Sequence, residues 1–278
     1  KEGVNYNVED PNYDLFKLAC MVSAKRLFPN FAFVDAPFNK QYYKEGDFNT
    51  EIAYMGCRTR VIGDVTSPDN EIVTGRGNLS FTTINLPRLG IKYGIALKER
   101  EKPDMDGFYK ELSDIMDMVR DQLLERFEFQ CSKHNYNFPF LLGQGIWNNG
   151  EKLKPTDRLR KVWKHGTLST GFIGLAECLK ALTGKHHGES EEAEKLGLEI
   201  IEFMRNRCDE NSRKYNLNFT CIATPAEGLS GRFTGIDRAI YGKIKGVTDR
   251  EYYTNSFHIP VYYNISITDK IEKEAPYH

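Results

Sequence analysis

The chain has 278 residues, 40% apolar and 12% aromatic, enough to bury a sizeable core, which excludes a disordered or fibrous protein. Its 38 basic and 39 acidic residues leave a formal charge of -1, so no overall field draws it to nucleic acid or to an anionic bilayer. No apolar run approaches the roughly 20 residues that span a membrane, and KEGVNYNVEDPNYDLF at the start lacks the apolar centre of a signal peptide; a cytoplasmic location is expected.

Taken in chain order, residues 13 to 38 read as a helix followed by extended chain. EIAYMGCRTRVI at 51 to 62 is apolar at both ends and broken by Gly56, the pattern of a strand interrupted by a turn. The polar excursion GDVTSPDNEIVTGRGN follows, and then LSFTTINLP, β-branched and predicted as a strand. The longest helix is predicted from Asp106 to Lys133, where Phe108, Leu112, Ile115, Val119, Leu123 and Phe127 form one apolar stripe. A second helix is predicted from Thr167 through TGFIGLAECLKALTG, with Gly184 as its C-cap, and a third from Glu189 to Ser212. FPFLLGQ at 138 to 144, NFTCIAT at 218 to 224 and FHIPVYYNISI at 257 to 267 read as strands. Strands alternating with helices predict a largely parallel α/β sheet or barrel. The polar start without Met, and the end at EKEAPYH, suggest a segment of a longer polypeptide.

The six cysteines are scattered singly with no C-x-x-C pair, which argues against a zinc knuckle or a dense disulfide framework. Cys20, Cys131, Cys178 and Cys208 read as small buried hydrophobes. Cys57 differs: Gly56 allows a turn that exposes it, and Arg58 and Arg60 favour a thiolate. No histidine lies near it in sequence, so a plain acyl-transfer nucleophile is poorly supported.

Three further stretches carry candidate chemistry. In CIATPAEG, Thr224 reads as an N-cap, Pro225 as the first helical residue and Glu227 as the partner of a capping box; the same turn presents backbone N–H groups that suit a phosphate. HGTLSTGFIGLAE reads as a second helix start whose small residues, Gly166, Thr167, Gly171 and Gly174, serve either a ligand or close packing. Together they predict a site for an anionic small molecule at the C-terminal ends of strands. YYTNSFHIP gathers Thr254, Asn255, Ser256 and His258, although a lone histidine beside a phenylalanine is more often a hydrogen-bonded core residue. The pair His186 and His187 lies in a polar loop, and no metal is assigned.

MGCRTRV at 55 to 61, GRGNLSFTTINLPR at 75 to 88, GTLSTGFIGLAE at 166 to 177, ATPAEGLSGRF at 223 to 233 and GVTDREYYTNSFHIPV at 246 to 261 resemble, in order and spacing, the catalytic subunit of the anaerobic, class III ribonucleoside-triphosphate reductases. The resemblance implies a glycyl-radical enzyme built on a ten-stranded α/β barrel, with a central finger loop carrying the radical cysteine, at the position of Cys57. It implies that Cys57 removes the ribose 3′-hydrogen as a thiyl radical. Asn78 occupies the place where oxygen-dependent reductases keep a redox cysteine, and with Met55 and Gly56 it fits the members that take electrons from formate rather than a thiol donor. Thr224, Pro225, Ala226 and Glu227, with Gly166, Thr167 and Leu168 as their neighbours, match the substrate-phosphate turn; Asn255, Ser256 and His258 would lie near the barrel mouth.

The same resemblance implies ribonucleoside triphosphates as substrates, a radical-SAM iron-sulfur activating protein, a homodimer in the full-length protein, and zinc only in a C-terminal region. Residues 1–278 then form a single catalytic-barrel segment: the glycyl-radical motif, the four-cysteine zinc site, the ATP-cone and the effector region have no counterpart in these motifs. Such a segment is expected to be inactive by itself. The competing readings are an inert nucleotide-binding or structural fragment, and the barrel of another glycyl-radical enzyme resembling pyruvate formate-lyase, which the TPAE and TNSFH motifs disfavour.

Overall fold

A computed structural model describes residues 1–52, 54, 55, 59–61, 63–69 and 72–278. Cys57, with Gly56 and Arg58, lies outside the described residues. In chain order come α1 (Tyr13–Arg26), α2 (Pro37–Lys40), β1 (Tyr54–Met55), β2 (Thr59–Arg60), β3 (Asn78–Asn85), α3 (Leu86–Tyr93), α4 (Met105–Cys131) and α5 (Arg160–Trp163). They are followed by β4 (Thr167–Ile173), α6 (Leu175–Thr183), α7 (Glu191–Tyr215), β5 (Asn218–Ala223), α8 (Glu227–Tyr241) and α9 (Ile267–Glu274).

Strands β3, β4 and β5 form a parallel sheet in that order, and β1 pairs antiparallel with β2. Of the expected strand at 51 to 62, the described residues form the antiparallel β1–β2 pair, and the turn expected at Gly56 lies outside the described residues. The successive parallel strands are linked through helices, as parallel pairing requires. The described strands thus amount to an α/β sheet of three parallel members and a short antiparallel pair, and the ten-stranded barrel with its finger loop is a wider arrangement than they display.

The α4 stripe packs as its spacing predicts, with Phe108, Leu112, Val119, Leu123 and Phe127 buried in the main core; Met116 is buried in place of Ile115, which is only half-buried. Asp104 caps this helix by accepting from the Gly107 N–H at 2.9 Å. Ser190 caps α7 in the same way, accepting from the Ala193 N–H.

The second predicted helix is corrected at its start: Thr167–Ile173 is the central strand β4, and the helix begins only at Leu175. Every residue of β4 is buried because both faces are covered, so the two-residue alternation that marks a half-buried strand is erased. Gly174, at φ 72, turns the chain from strand to helix in the left-handed region that suits glycine, and Gly184 at φ 85 caps the helix as expected.

Two predicted strands are absent from the described residues. Residues 138 to 144 form turns, with Leu142 in the core and Phe138 edge-on to Trp163 at 5.4 Å. Residues 257 to 266 are likewise turn and irregular chain, since Pro260 has no N–H to give a ladder and the Ile259 N–H donates to Glu274 Oε1 at 2.8 Å instead. Cys131, Cys178 and Cys208 are buried as expected, but Cys20 is exposed, on a helix with no buried residue.

Candidate functional site

The sheet gathers polar side chains at both of its ends. At the N-terminal end, the parallel register sets Asn78 of β3 opposite Thr167 of β4, and Thr167 opposite Asn218 of β5. The β3–β4 ladder is irregular between Asn78 and Ser80. Asn78 Oδ1 and Thr167 Oγ1 are both shielded from solvent without a hydrogen-bond partner. Buried polar atoms ordinarily find a partner, so two orphans on neighbouring strands mark a place where a polar ligand group fits.

Beside this pair, Asn218 Nδ2 donates to Asp64 Oδ1 at 3.1 Å and to the Lys164 and Gly166 carbonyls, while its Oδ1 accepts from the Val65 N–H at 2.9 Å. Asp64 Oδ2 lies 2.7 Å from His165 Nδ1, and Asp64 Oδ1 accepts from the Thr66 N–H and hydroxyl. Burial alone would raise the Asp64 pKa, but the hydrogen bonds from His165, Thr66 and Asn218 and the charge of Arg76 outweigh it. They hold its carboxyl well below the usual carboxylate range, so it is ionised at neutral pH.

At the C-terminal end, Thr224 Oγ1 lies 3.0 Å from Thr83 Oγ1 across the sheet. Gly171 allows this approach: a Cβ there would stand 2.0 Å from Thr224 Oγ1. The capping box predicted at Thr224 is therefore corrected. Its hydroxyl is engaged with Thr83, and α8 starts three residues later, after Ala226, with no side-chain cap. Pro225 accordingly precedes the helix rather than opening it. The first N–H groups of α8 have no intrahelical acceptor, and a Cβ on Gly228 would meet nothing within 4 Å, so this helix start is open.

The start of α6 differs. The turn Thr254–Ser256 closes it, with the Thr254 carbonyl accepting from the Gly174 N–H and the Ser256 carbonyl from the Leu175 N–H, both at 3.0 Å. Glu177 in its first turn accepts from the Thr254 N–H at 2.9 Å and the Thr254 hydroxyl at 2.6 Å. Its burial pushes the carboxyl pKa up, and Glu177 Oε2, like Ser256 Oγ, is a buried atom without a partner. Asn255 Nδ2 reaches the Pro225 carbonyl at 3.5 Å, which brings the 254–256 turn against the 224–227 turn. His258 lies 3.0 Å from Glu274 Oε2.

The grouping expected from sequence is thus divided. Gly166, Thr167 and Leu168 stand at the N-terminal end of the sheet beside Asn78, whereas Thr224–Glu227 stand beyond its C-terminal end with Asn255. The expectation that Gly166–Leu168 neighbour the 224–227 turn fails because 167–173 is an extended strand, which separates its ends by about 20 Å at 3.3 Å per residue. His186 and His187, expected in a polar loop, are buried, with His187 Nε2 2.7 Å from the Phe257 carbonyl.

Sequence reasoning missed Asp64, Arg76, His165 and Asn218. Asp64 and His165 meet across 101 residues, and no local spacing signals such a pairing. It also missed Asp237, which is fully buried and accepts from Asn85 Nδ2 at 2.7 Å, Arg88 Nε at 2.6 Å and the Tyr253 hydroxyl at 2.8 Å. Among the described residues, no three His, Cys, Asp or Glu side chains are grouped so as to hold a metal ion. Nor is any helix among them long and apolar enough to cross a membrane.

A parallel sheet flanked by helices, with polar groups at both strand ends, makes the chain a mixed α/β fold, and solved structures share that fold. It resembles the anaerobic ribonucleotide reductase of Thermotoga maritima with citrate in the active site, with a TM-score of 0.52 and 17% identity, over 72% of this chain and 32% of that one. The same enzyme in complex with dATP and CTP gives a TM-score of 0.52 over 72% of this chain and 30% of that one. At this identity the likeness is one of fold.

The chain belongs to the anaerobic ribonucleoside-triphosphate reductase family, whose family model matches residues 1–278. It is 34% identical over 280 residues to the anaerobic ribonucleoside-triphosphate reductase of Enterobacteria phage T4, covering 100% of this chain and 43% of that protein. The Salmonella typhimurium reductase is 33% identical over 281 residues, with 37% of its length covered. The chain therefore spans less than half the length of these curated relatives.

Proposed function

We propose that this chain is the barrel segment of an enzyme that reduces ribonucleoside triphosphates to deoxyribonucleoside triphosphates under anaerobic conditions. The observation that carries the reading is the match of the reductase family along all 278 residues. In this reading the three parallel strands belong to a ten-stranded barrel, and Cys57 sits at the tip of a finger loop within it. A glycyl radical, on a residue beyond this segment and installed by a radical-SAM activating protein, supplies the oxidising equivalent when the whole homodimeric enzyme is assembled in the cytoplasm.

Cys57, as thiyl, takes the 3′-hydrogen of the ribose, and the 2′-hydroxyl leaves as water with a proton. Formate then supplies two electrons and becomes carbon dioxide, and Cys57 returns the hydrogen to C3′. The net change is ribonucleotide, formate and a proton to deoxyribonucleotide, carbon dioxide and water. Asn78 is suited to hold formate through its Nδ2 N–H groups, since a carboxylate only accepts, while its buried Oδ1, which lacks a protein partner, suits a donor such as a ribose hydroxyl. Met55, whose backbone lies in β1, completes the reductant side of the site.

The open start of α8 suits the triphosphate. Thr224, Pro225, Ala226 and Glu227 would present it with backbone N–H groups and the positive end of the helix dipole. Gly166, Thr167 and Leu168 stand beside Asn78, a full strand length from the 224–227 turn, and are no part of the phosphate site in this reading. Asn255 and Ser256 border the phosphate turn, and the contact of His258 with Glu274 favours a structural role for that histidine. The test is the activated full-length Cys57→Ala enzyme, which is expected to carry its glycyl radical, seen by electron paramagnetic resonance, yet form no deoxynucleotide. Residual turnover would refute the assignment.

A further inference from the structure

Arg76 stands two residues before Asn78, and its side chain is only 1% exposed. Its guanidinium is fitted to three carbonyls: Nε donates to His165 O at 2.7 Å, Nη1 to Ile72 O at 3.0 Å and Nη2 to Gly63 O at 2.8 Å. The first of these belongs to the residue two before Thr167, and the other two lie near the ends of the polar excursion that precedes β3. The Thr167 N–H donates to the Gly77 carbonyl at 2.9 Å, between Arg76 and Asn78.

Asp64 ties the arrangement together from inside the excursion. It binds His165 Nδ1 at 2.7 Å and Asn218 Nδ2 at 3.1 Å, and its Oδ2 lies 4.0 Å from Arg76 Nε. A buried ion pair stabilises a fold little, if at all, relative to apolar side chains of the same volume, so stability alone is a weak reason for this one. What a rigid, planar fork does supply is geometry, since it fixes three carbonyls at set angles where a lysine ammonium cannot. The geometry fixed here is the approach of β3 to β4, at the position where Asn78 and Thr167 are paired and the ladder is irregular.

We propose that Arg76, oriented by Asp64 and His165, is a positioning residue that sets Asn78 against Thr167 for the reductant. This rests on the reading that Asn78 receives formate. In the activated full-length enzyme, Arg76→Lys is expected to raise KM for formate roughly tenfold, as for a misplaced charge-assisted hydrogen bond, while KM for the nucleotide stays within about twofold of wild type. The glycyl-radical signal is expected to be unchanged, and Asn78→Ala to shift the formate dependence in the same direction.

A merely structural role would lower the melting temperature or raise both KM values together. Equal rises in the two KM values, or wild-type formate dependence in folded Arg76→Lys, overturns the proposal. Should Arg76→Lys fail to fold, Asp64→Asn keeps the side-chain shape while removing the charge and carries the same expected split; an unchanged formate KM in that variant overturns the proposal as well. Wild-type formate dependence in Asn78→Ala overturns the underlying reading instead, so the two failures are told apart.

Discussion

The two ends of the central sheet handle charge in opposite ways. At the N-terminal end, the carboxylate of Asp64 and the guanidinium of Arg76 are both buried, and nearly every arm of each is met by protein. At the C-terminal end the carboxylate of Asp237 is buried, while the side chain of its partner Arg88 is 36% exposed. The start of α8, ten residues before Asp237, has no side-chain cap. A fully enclosed network fixes geometry; a half-open one leaves cationic and N–H groups available to an anion from solvent.

The largest expected effect breaks the C-terminal end. Asp237→Ala leaves Arg88 without its anion and Asn85 and Tyr253 without an acceptor, and is expected to cost about 3–5 kcal/mol in chemical denaturation of the full-length protein. A loss below ~1 kcal/mol would show that this end is held by packing instead.

Next comes the pH dependence of the N-terminal end. The Asp64 pKa is depressed in the fold, so its stabilising contribution is complete above the ordinary aspartate range and is lost as pH falls through that range towards the folded value. The stability difference between wild type and Asp64→Asn, followed by denaturation, should therefore be constant from pH 7 to about pH 5 and shrink below it. A difference independent of pH down to about 3 would mean that the carboxylate charge contributes nothing there.

His187 provides a background slope of its own that the comparison must subtract. Burial, then the neighbouring His186, brings its pKa down to about 4. The unfolded chain thus binds the extra proton first, and stability falls as pH drops from about 6.5 to about 4. His187→Gln, which cannot titrate, should flatten that part of the profile; an unaltered slope would reassign it to other groups.

A smaller effect tests how tightly β4 and the 224–227 turn are fitted. Gly171→Ala forces a Cβ onto Thr224 Oγ1 and is expected to cost about 1–3 kcal/mol, partly recovered by adding Thr224→Ala. No recovery in the double variant would show that the strain arises elsewhere. Smallest of all, Thr224→Ala by itself should weaken nucleotide binding less than Ala226→Pro, because the proposed phosphate contacts are backbone N–H groups; calorimetric titration of the full-length protein measures the order, and the reverse order would contradict it.

Local pattern was enough for some parts of the molecule. The period of apolar residues in α4 and the β-branched run of β3 predicted both elements to within a few residues, the first through one buried face whose repeat is written in the chain and the second through residue type. The family was legible too, in the order of five motifs, and the family match bears it out along the whole chain. The start of α6 was misplaced by eight residues because β4 is covered on both faces, and a uniformly buried run carries no period. The Thr224 capping box was misread because a hydroxyl that suits an N-cap also suits a partner on a neighbouring strand, and Thr83 lies 141 residues away.

Sequence by itself determined the long amphipathic helix, the family and the identity of Cys57 and Asn78 as candidates, since each rests on residue type and short-range spacing. Only the tertiary structure decided that Gly166–Leu168 and Thr224–Glu227 occupy opposite ends of the sheet, and that Asp64, Arg76, His165 and Asn218 close around one end. Those facts depend on strand direction and register, which are fixed by packing between segments far apart in the chain rather than by any local preference.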